Sequence, residues 1–323
     1  MTDQNFLDRI NFKGEITDLL TRVCADFGIG EYVSHQIVST GYEDCNITLT
    51  SENKKVFVKI FGSFRDEENC KRYINLMTKV IDAGVNHPRL FQSPTGYLYK
   101  YKNNSGLTTF LCLMEFIDGN SFYDLGACPT QEETIEITKQ AAIINSLDIK
   151  PVFAYDSWAI ENFLKENEVI SEYLDKDTKS LVQPLVEEFR NIDFDSLPHS
   201  LVHGDLIKTN VLRSEDNKIY LIDFSVANFY PRIQELAILL CNLFFDPNNL
   251  SDFDKTYDLV LRTYQEKISL TQRELNLLPL YIKLAHAMHI IGATREKELN
   301  GNNSEENEYW LNQGKIGLLY MSN

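Results

Sequence analysis

Leu201-Val202-His203-Gly204-Asp205-Leu206-Ile207-Lys208-Thr209-Asn210-Val211-Leu212, followed by Leu221-Ile222-Asp223-Phe224-Ser225, decides how this chain is read. An apolar strand runs into His-Gly-Asp, an asparagine follows five positions after Asp205, and a second apolar strand delivers Asp223 after twelve intervening residues. Two carboxylates and an amide leaving strand ends in this order are expected to meet in one pocket. Phosphoryl transfer from a nucleotide needs that set. One carboxylate accepts or orients the proton of an attacking hydroxyl, and the other joins the amide oxygen in holding Mg²⁺ against the phosphates. Oxygen donors are required because Mg²⁺ is a hard cation with near-octahedral demands. Five fixed positions over this span arise by chance about once in 10⁴ chains, so the pattern is specific.

Upstream of this island the chain is sheet-rich. Apolar residues at helical spacing (Ile16, Leu19, Leu20, Val23) predict an amphipathic helix over residues 13–27. Strands are expected over 32–39, 46–50 and 55–61, then a helix over 66–83 and two further strands near 97–101 and 108–116. In the third strand Phe57, Lys59 and Phe61 share one face, and Val56, Val58 and Ile60 share the other. After Asp118-Gly119 the pattern turns helical, over about 131–147, 155–175, 178–191, 232–245, 251–267, 271–293 and 304–321. The exception is the β-rich island, 201–226. The fold class is therefore α+β, with a small sheet-rich half over residues 1–117 and a larger, mainly helical half over 118–323. The acidic stretch 296–308 reads as a solvated loop or helix entry.

His-Gly-Asp-x-x-x-x-Asn followed by Asp-Phe resembles the catalytic signature of the aminoglycoside phosphotransferase and choline kinase superfamily, whose members share the protein-kinase-like bilobal fold. The resemblance implies Asp205 as catalytic base, Asn210 and Asp223 as metal ligands, and ATP with Mg²⁺ as cofactors. Val56-Phe57-Val58-Lys59-Ile60 is similar to the strand whose lysine grips the α- and β-phosphates, which gives Lys59 that role. Gly41-Tyr42-Glu43-Asp44-Cys45-Asn46-Ile47 resembles the single-glycine nucleotide loop of the homoserine-kinase and choline-kinase branches. Leu113-Met114-Glu115-Phe116-Ile117 looks like the connection between lobes, where the backbones of Glu115 and Ile117 would bond adenine.

This chain departs from the pattern in two places. Kinase-like folds pair the strand lysine with a glutamate on the next helix, but that position falls near Tyr73, with Glu67 and Glu68 one turn earlier. Asn145 stands where a histidine usually ends its helix, a position expected to be structural. Lys208 is read either as reaching the transferring phosphate or as facing solvent. His286 and His289 have metal-compatible i, i+3 spacing, yet without a nearby acid or third ligand in sequence they read as packing residues. No Gly-x-Ser-x-Gly elbow supports a hydrolase.

Composition narrows the partners. The chain has 323 residues, 43% hydrophobic and 24% charged, which is ordinary globular usage. Its formal charge of −16 disfavours nucleic acid and membrane surfaces. The N-terminal residues lack a signal-peptide pattern, and the longest apolar run, about ten residues near Leu236–Phe245, is half of what a bilayer span needs. Six scattered cysteines without Cys-x-x-Cys spacing suit reduced thiols in a cytoplasm. The short path from Asp223 to Pro231-Arg232-Ile233-Gln234-Glu235 leaves no room for a peptide-docking activation segment, so the expected acceptor is a small-molecule hydroxyl: an aminoglycoside, choline or ethanolamine, homoserine or a similar metabolite. Glu235 is expected to anchor the catalytic loop. Tyr309, Trp310 and Trp158 are candidates for an aromatic box around a cationic acceptor. The competing reading is a nucleotide-binding pseudokinase, motivated by the missing helix glutamate.

Overall fold

The computed structural model describes residues 3–38, 43–102 and 106–322. The chain divides into two compact units, Met1–Asp118 and Gly119–Asn323.

In the first unit two helices, α1 (Asp3–Arg9) and α2 (Ile16–Asp26), precede three strands, β1 (Tyr32–Val38), β2 (Cys45–Ser51) and β3 (Lys55–Ile60). Helix α3 (Glu67–Asp82), β4 (Leu90–Phe91), β5 (Tyr99–Lys102) and β6 (Thr108–Glu115) complete it. The sheet is antiparallel with order β1-β2-β3-β6-β4, and β5 also pairs with β6. Period-2 alternation explains its core: Ile47 and Leu49 of β2, Val56, Val58 and Ile60 of β3, and Leu111 and Leu113 of β6 pack with Leu19, Leu20 and Val23 of α2. Lys59 therefore lies on the opposite face, in register with Asn46 and Cys112. Helix α3 starts where Asp66 accepts the Asn69 N–H as an N-cap at 2.8 Å.

The second unit opens with β7 (Gly119–Ser121), a strand that its Gly-Asn-Ser sequence does not announce. Helices α4 (Gln131–Asn145), α5 (Phe163–Ile170) and α6 (Lys176–Arg190) follow, then β8 (His199–Val202), β9 (Val211–Ser214), β10 (Ile219–Leu221) and β11 (Asn228–Pro231). Helices α7 (Ile233–Ile238), α8 (Phe253–Gln265), α9 (Gln272–Asn300) and α10 (Glu305–Ser322) finish the unit. Strands β10, β9 and β7 form one small sheet, and β8 pairs with β11. Helix α9 is central, packed by α5, α7 and α10.

Several expected elements differ in extent. The helix expected over 155–175 is only α5 preceded by a single turn at Ile160–Asn162, because Asp156 accepts the Trp158 N–H at 2.8 Å and holds the preceding chain in a turn. Helix α9 runs on to Asn300 and stops at Gly301, whose φ of +68° is a left-handed C-cap; part of the acidic stretch is thus helix. By length and composition α9 could cross a bilayer, contrary to the ten-residue limit read from sequence. However, 78% of its most apolar 18-residue window is buried within the unit, as in a core helix.

Gly119 is required by packing. A Cβ there would lie 2.4 Å from the Arg213 carbonyl oxygen of β9, its pairing partner. Gly119→Ala should therefore destabilise the chain by about 1–3 kcal/mol, read as an earlier urea midpoint with an unchanged slope; an unchanged midpoint would show that the strand can move aside freely.

Candidate active site

His203, Asp205, Asn210 and Asp223 are brought together in the second unit by two turns and one imidazole. Gly204 sits at φ +82°, a conformation open to glycine and strained for residues with a Cβ, so the middle residue of His-Gly-Asp is fixed by geometry. The turn then places the Asp205 N–H 3.2 Å from His203 Nδ1. On the other side of the same ring, His203 Nε2 is 3.0 Å from the Ile222 carbonyl. An amide N–H and a carbonyl on opposite sides dictate the tautomer: Nε2–H donates and Nδ1 accepts. The fully buried imidazole also packs against Phe224 at 4.3 Å between centroids. One ring thus ties the loop carrying Asp205 to the residues flanking Asp223.

Asn210 donates its side-chain N–H to Asp205 Oδ2 at 2.6 Å and to the Asp205 carbonyl at 3.0 Å, which directs its amide oxygen away from Asp205. The Asn210 carbonyl in turn accepts the Ile222 N–H at 3.0 Å. Asp223 is a non-glycine residue at φ +67°. That backbone costs about 1–3 kcal/mol and recurs where a site holds a side chain in a set direction. Its Oδ1 also lies 3.2 Å from the Ser225 N–H. The loop thus carries two carboxylates and an amide oxygen, the hard oxygen donors that a divalent cation such as Mg²⁺ requires.

Beneath the loop, Glu235 of α7 is fully buried and accepts the His203 backbone N–H at 2.5 Å. Asn145 at the end of α4 donates to Glu235 at 3.3 Å and to the Leu201 carbonyl at 2.8 Å, and accepts from Tyr264 at 2.8 Å. Both expected structural roles are visible in these bonds. Of the two expected readings of Lys208, burial excludes the solvent-facing one. Its side chain is buried and donates to the Tyr309 hydroxyl at 3.0 Å. Its backbone N–H is held by Asn242 Oδ1 at 3.0 Å. Asn242 lies in the π-helical turn Leu239–Leu243 that continues α7, and Gln313 of α10 caps that turn by donating to the Cys241 and Asn242 carbonyls at 3.1 and 3.0 Å.

His286 and His289 are core residues. Cys241 joins them within 4.8 Å, a grouping the sequence spacing does not reveal. With Asn242 Oδ1 engaged by Lys208, its Nδ2 faces His289 Nε2 at 3.2 Å, so that ring nitrogen accepts. A metal-bound imidazole does the reverse and donates through its second nitrogen. Burial also pushes the His289 imidazole down to about 4, so it is neutral. Trp310 stacks on His289 at 5.9 Å, and Trp158 packs against Gly292.

The first unit holds the remaining expected residues. Lys59 Nζ lies 3.0 Å from Asp44 Oδ2, and both side chains are about 95% buried (5% and 4% exposed). Asp44 Oδ1 accepts the Gly62 N–H at 2.9 Å and Arg65 Nε at 3.2 Å, and Arg65 also pairs with Glu43. Glu67 and Glu68 do not reach Lys59: Glu67 pairs with Lys71 and Lys100, and Glu68 with Lys71. Tyr73, at the position where a glutamate was expected, faces Lys59 with its ring centroid 5.4 Å from Nζ. Gly41 and Tyr42 of the expected nucleotide loop lie outside the described residues. The Glu115 N–H donates to the Arg89 carbonyl at 2.8 Å. Ile117 is half-buried in the short segment after β6.

Fold and loop together define a phosphotransferase of the protein-kinase-like class. The profile of the phosphotransferase enzyme family (APH) matches residues 34–266, and the chain belongs to that family. It is 21% identical over 213 residues to a homoserine kinase of Methylobacillus flagellatus, covering 66% of this chain and 64% of that one. It is 23% identical over 267 residues to a homoserine kinase of Parvibaculum lavamentivorans, covering 79% and 78%. Among solved structures, the amicoumacin kinase hAmiN in complex with AMP-PNP, Ca²⁺ and Ami superposes with TM-score 0.67 at 14% identity, over 98% of this chain and 96% of that one. The choline kinase LicA from Streptococcus pneumoniae superposes with TM-score 0.62 at 14% identity, over 95% and 100%.

Burial pushes the Glu235 carboxyl up to about 7, against the His203 and Asn145 hydrogen bonds that favour its charged form. An acid with a raised folded-state value keeps its proton while the unfolded chain loses it. The unfolded state then binds fewer protons, and stability falls as pH rises from about 4.5 to 7 before levelling off. Glu235→Gln should remove roughly 2–3 kcal/mol of that decline, measured as urea midpoints at pH 5 and pH 8. A decline of equal size in the variant would exclude Glu235 as its source.

Proposed function

We propose that this chain transfers the γ-phosphoryl group of Mg-ATP to the hydroxyl of a small amine-bearing molecule. The observation that carries the reading is the linked set Asp205–Asn210–His203–Ile222, in which one hydrogen-bonded circuit leads to the backbone beside Asp223. Asp205 would accept the proton of the attacking hydroxyl while oriented by Asn210. Asn210 Oδ1 and the Asp223 carboxylate would hold Mg²⁺, which supplies charge neutralisation on the transferring phosphoryl group. Lys59 would bind the α- and β-phosphates. The Glu115 carbonyl and Ile117 N–H would pair with adenine. Nucleotide and divalent-ion use is supported by the AMP-PNP and Ca²⁺ in the hAmiN complex.

For the acceptor, the three aromatic candidates argue against a box around a quaternary ammonium. Tyr309 already has the Lys208 ammonium 5.7 Å from its ring centroid and hydrogen-bonded to its hydroxyl. Trp310 is buried against His289, and Trp158, half-buried, packs against Gly292. Homoserine is therefore the first acceptor to test, supported by the two sequence relatives, with aminopropanol, ethanolamine, choline and an aminoglycoside beside it. The pseudokinase reading loses its motive, because Lys59 has an acidic partner in Asp44.

Asp205→Asn should lower turnover at least a hundredfold while Mg-ATP affinity stays within a few-fold. Coupled ADP release across the acceptor panel measures the first, and calorimetric titration the second. Near-normal turnover in that variant would remove Asp205 from the role of base.

A further inference from the structure

We propose that Asp44 is the positioning residue for Lys59, supplying from the start of β2 the carboxylate that kinase-like folds draw from a helix. The proposal rests on the phosphotransferase reading of Lys59 and deepens it.

The geometry at Asp44 is that of a fixed anchor. Its Oδ2 is 3.0 Å from Lys59 Nζ, while Oδ1 is held by the Gly62 N–H and by Arg65 Nε. Donors on both oxygens leave the carboxylate little freedom to swing, so the lysine it holds is fixed in turn. At this depth the Asp44 carboxylate both neutralises charge beside the ammonium and sets its direction, and its loss removes that fixed partner 3.0 Å away. Helix α3 offers no replacement acid. Its acidic residues Glu67 and Glu68 are engaged with Lys71 and Lys100, and Tyr73 presents a ring to Lys59.

The consequence concerns control of the site. With a helix glutamate, rotation of the helix makes or breaks the ion pair. Here the carboxylate comes from the bend just before β2, a strand whose pairing with β3 places Asn46 and Cys45 opposite Lys59 and Ile60. Lysine placement thus follows the sheet and the segment entering β2, and Arg65, next to the Asp66 N-cap, couples α3 to the same carboxylate.

The test uses the full chain with Mg-ATP as the probe, reading affinity by calorimetry and basal ATP hydrolysis. Asp44→Asn keeps an oxygen for Gly62 and Arg65 but removes the charge; it should weaken Mg-ATP binding at least tenfold in a chain of native circular dichroism. Asp44→Glu, which keeps the charge, should stay within about threefold. Adding Tyr73→Glu to Asp44→Asn should restore most of the loss by presenting the acid from α3, which a merely structural role for Asp44 does not predict. Equal behaviour of Asp44→Asn and Asp44→Glu, or Mg-ATP binding by Asp44→Asn as tight as wild type, would overturn the proposal and leave the phosphotransferase reading intact. A wild-type chain that binds no Mg-ATP would instead defeat that reading and this role together.

Discussion

The His203 imidazole is the constraint on which the site depends. Its two nitrogens face an amide N–H on one side and a carbonyl on the other, so a single neutral tautomer satisfies both. A protonated ring would set a donor against the Asp205 N–H, and an apolar replacement would leave a buried amide and carbonyl without partners at about 1–3 kcal/mol each. The same residue's backbone is held by Glu235, which Asn145 of α4 braces while itself accepting from Tyr264 of α8. The geometry of this loop is therefore a matter of burial: polar groups that water cannot reach are held by hydrogen bonds from neighbouring elements.

Much of this was legible in sequence, for identifiable reasons. Asp205, Asn210 and Asp223 are close in the chain, and short strands with tight turns leave few ways to arrange them. The alternation in β3 placed Lys59 opposite the core valines. Glu235 and Asn145 could be recognised as supports, though not the bonds they make. The Asp44–Lys59 pair was not legible because it depends on how the bend before β2 folds over β3, which no local pattern encodes. The burial of Lys208 was not legible because its tyrosine partner lies 101 positions later in sequence. The turn near Trp158 and the extension of α9 show the limit of periodicity: one side-chain cap or one left-handed glycine moves a boundary by several residues.

The two units solve the problem of a buried charge differently. In the first, the Lys59 ammonium is balanced by a carboxylate that also serves Gly62 and Arg65. In the second, Glu235 is held among hydrogen-bond donors without a counter-ion, and burial raises its affinity for a proton. The first arrangement sets an ammonium against a carboxylate. The second keeps a scaffold carboxyl close to neutrality, as befits a group that supports a loop and does not meet substrate.

Helix α10 reaches the catalytic loop through a relay: Gln313 caps the π-helical turn, Asn242 in that turn holds the Lys208 N–H, and Tyr309 takes the Lys208 ammonium. During synthesis, a nascent chain that has emerged only as far as α9 already contains Asp205, Asn210 and Asp223 but lacks these braces. These hydrogen bonds to the loop form only once the C-terminal segment has been synthesised and docked, so the order of translation separates making the loop from bracing it.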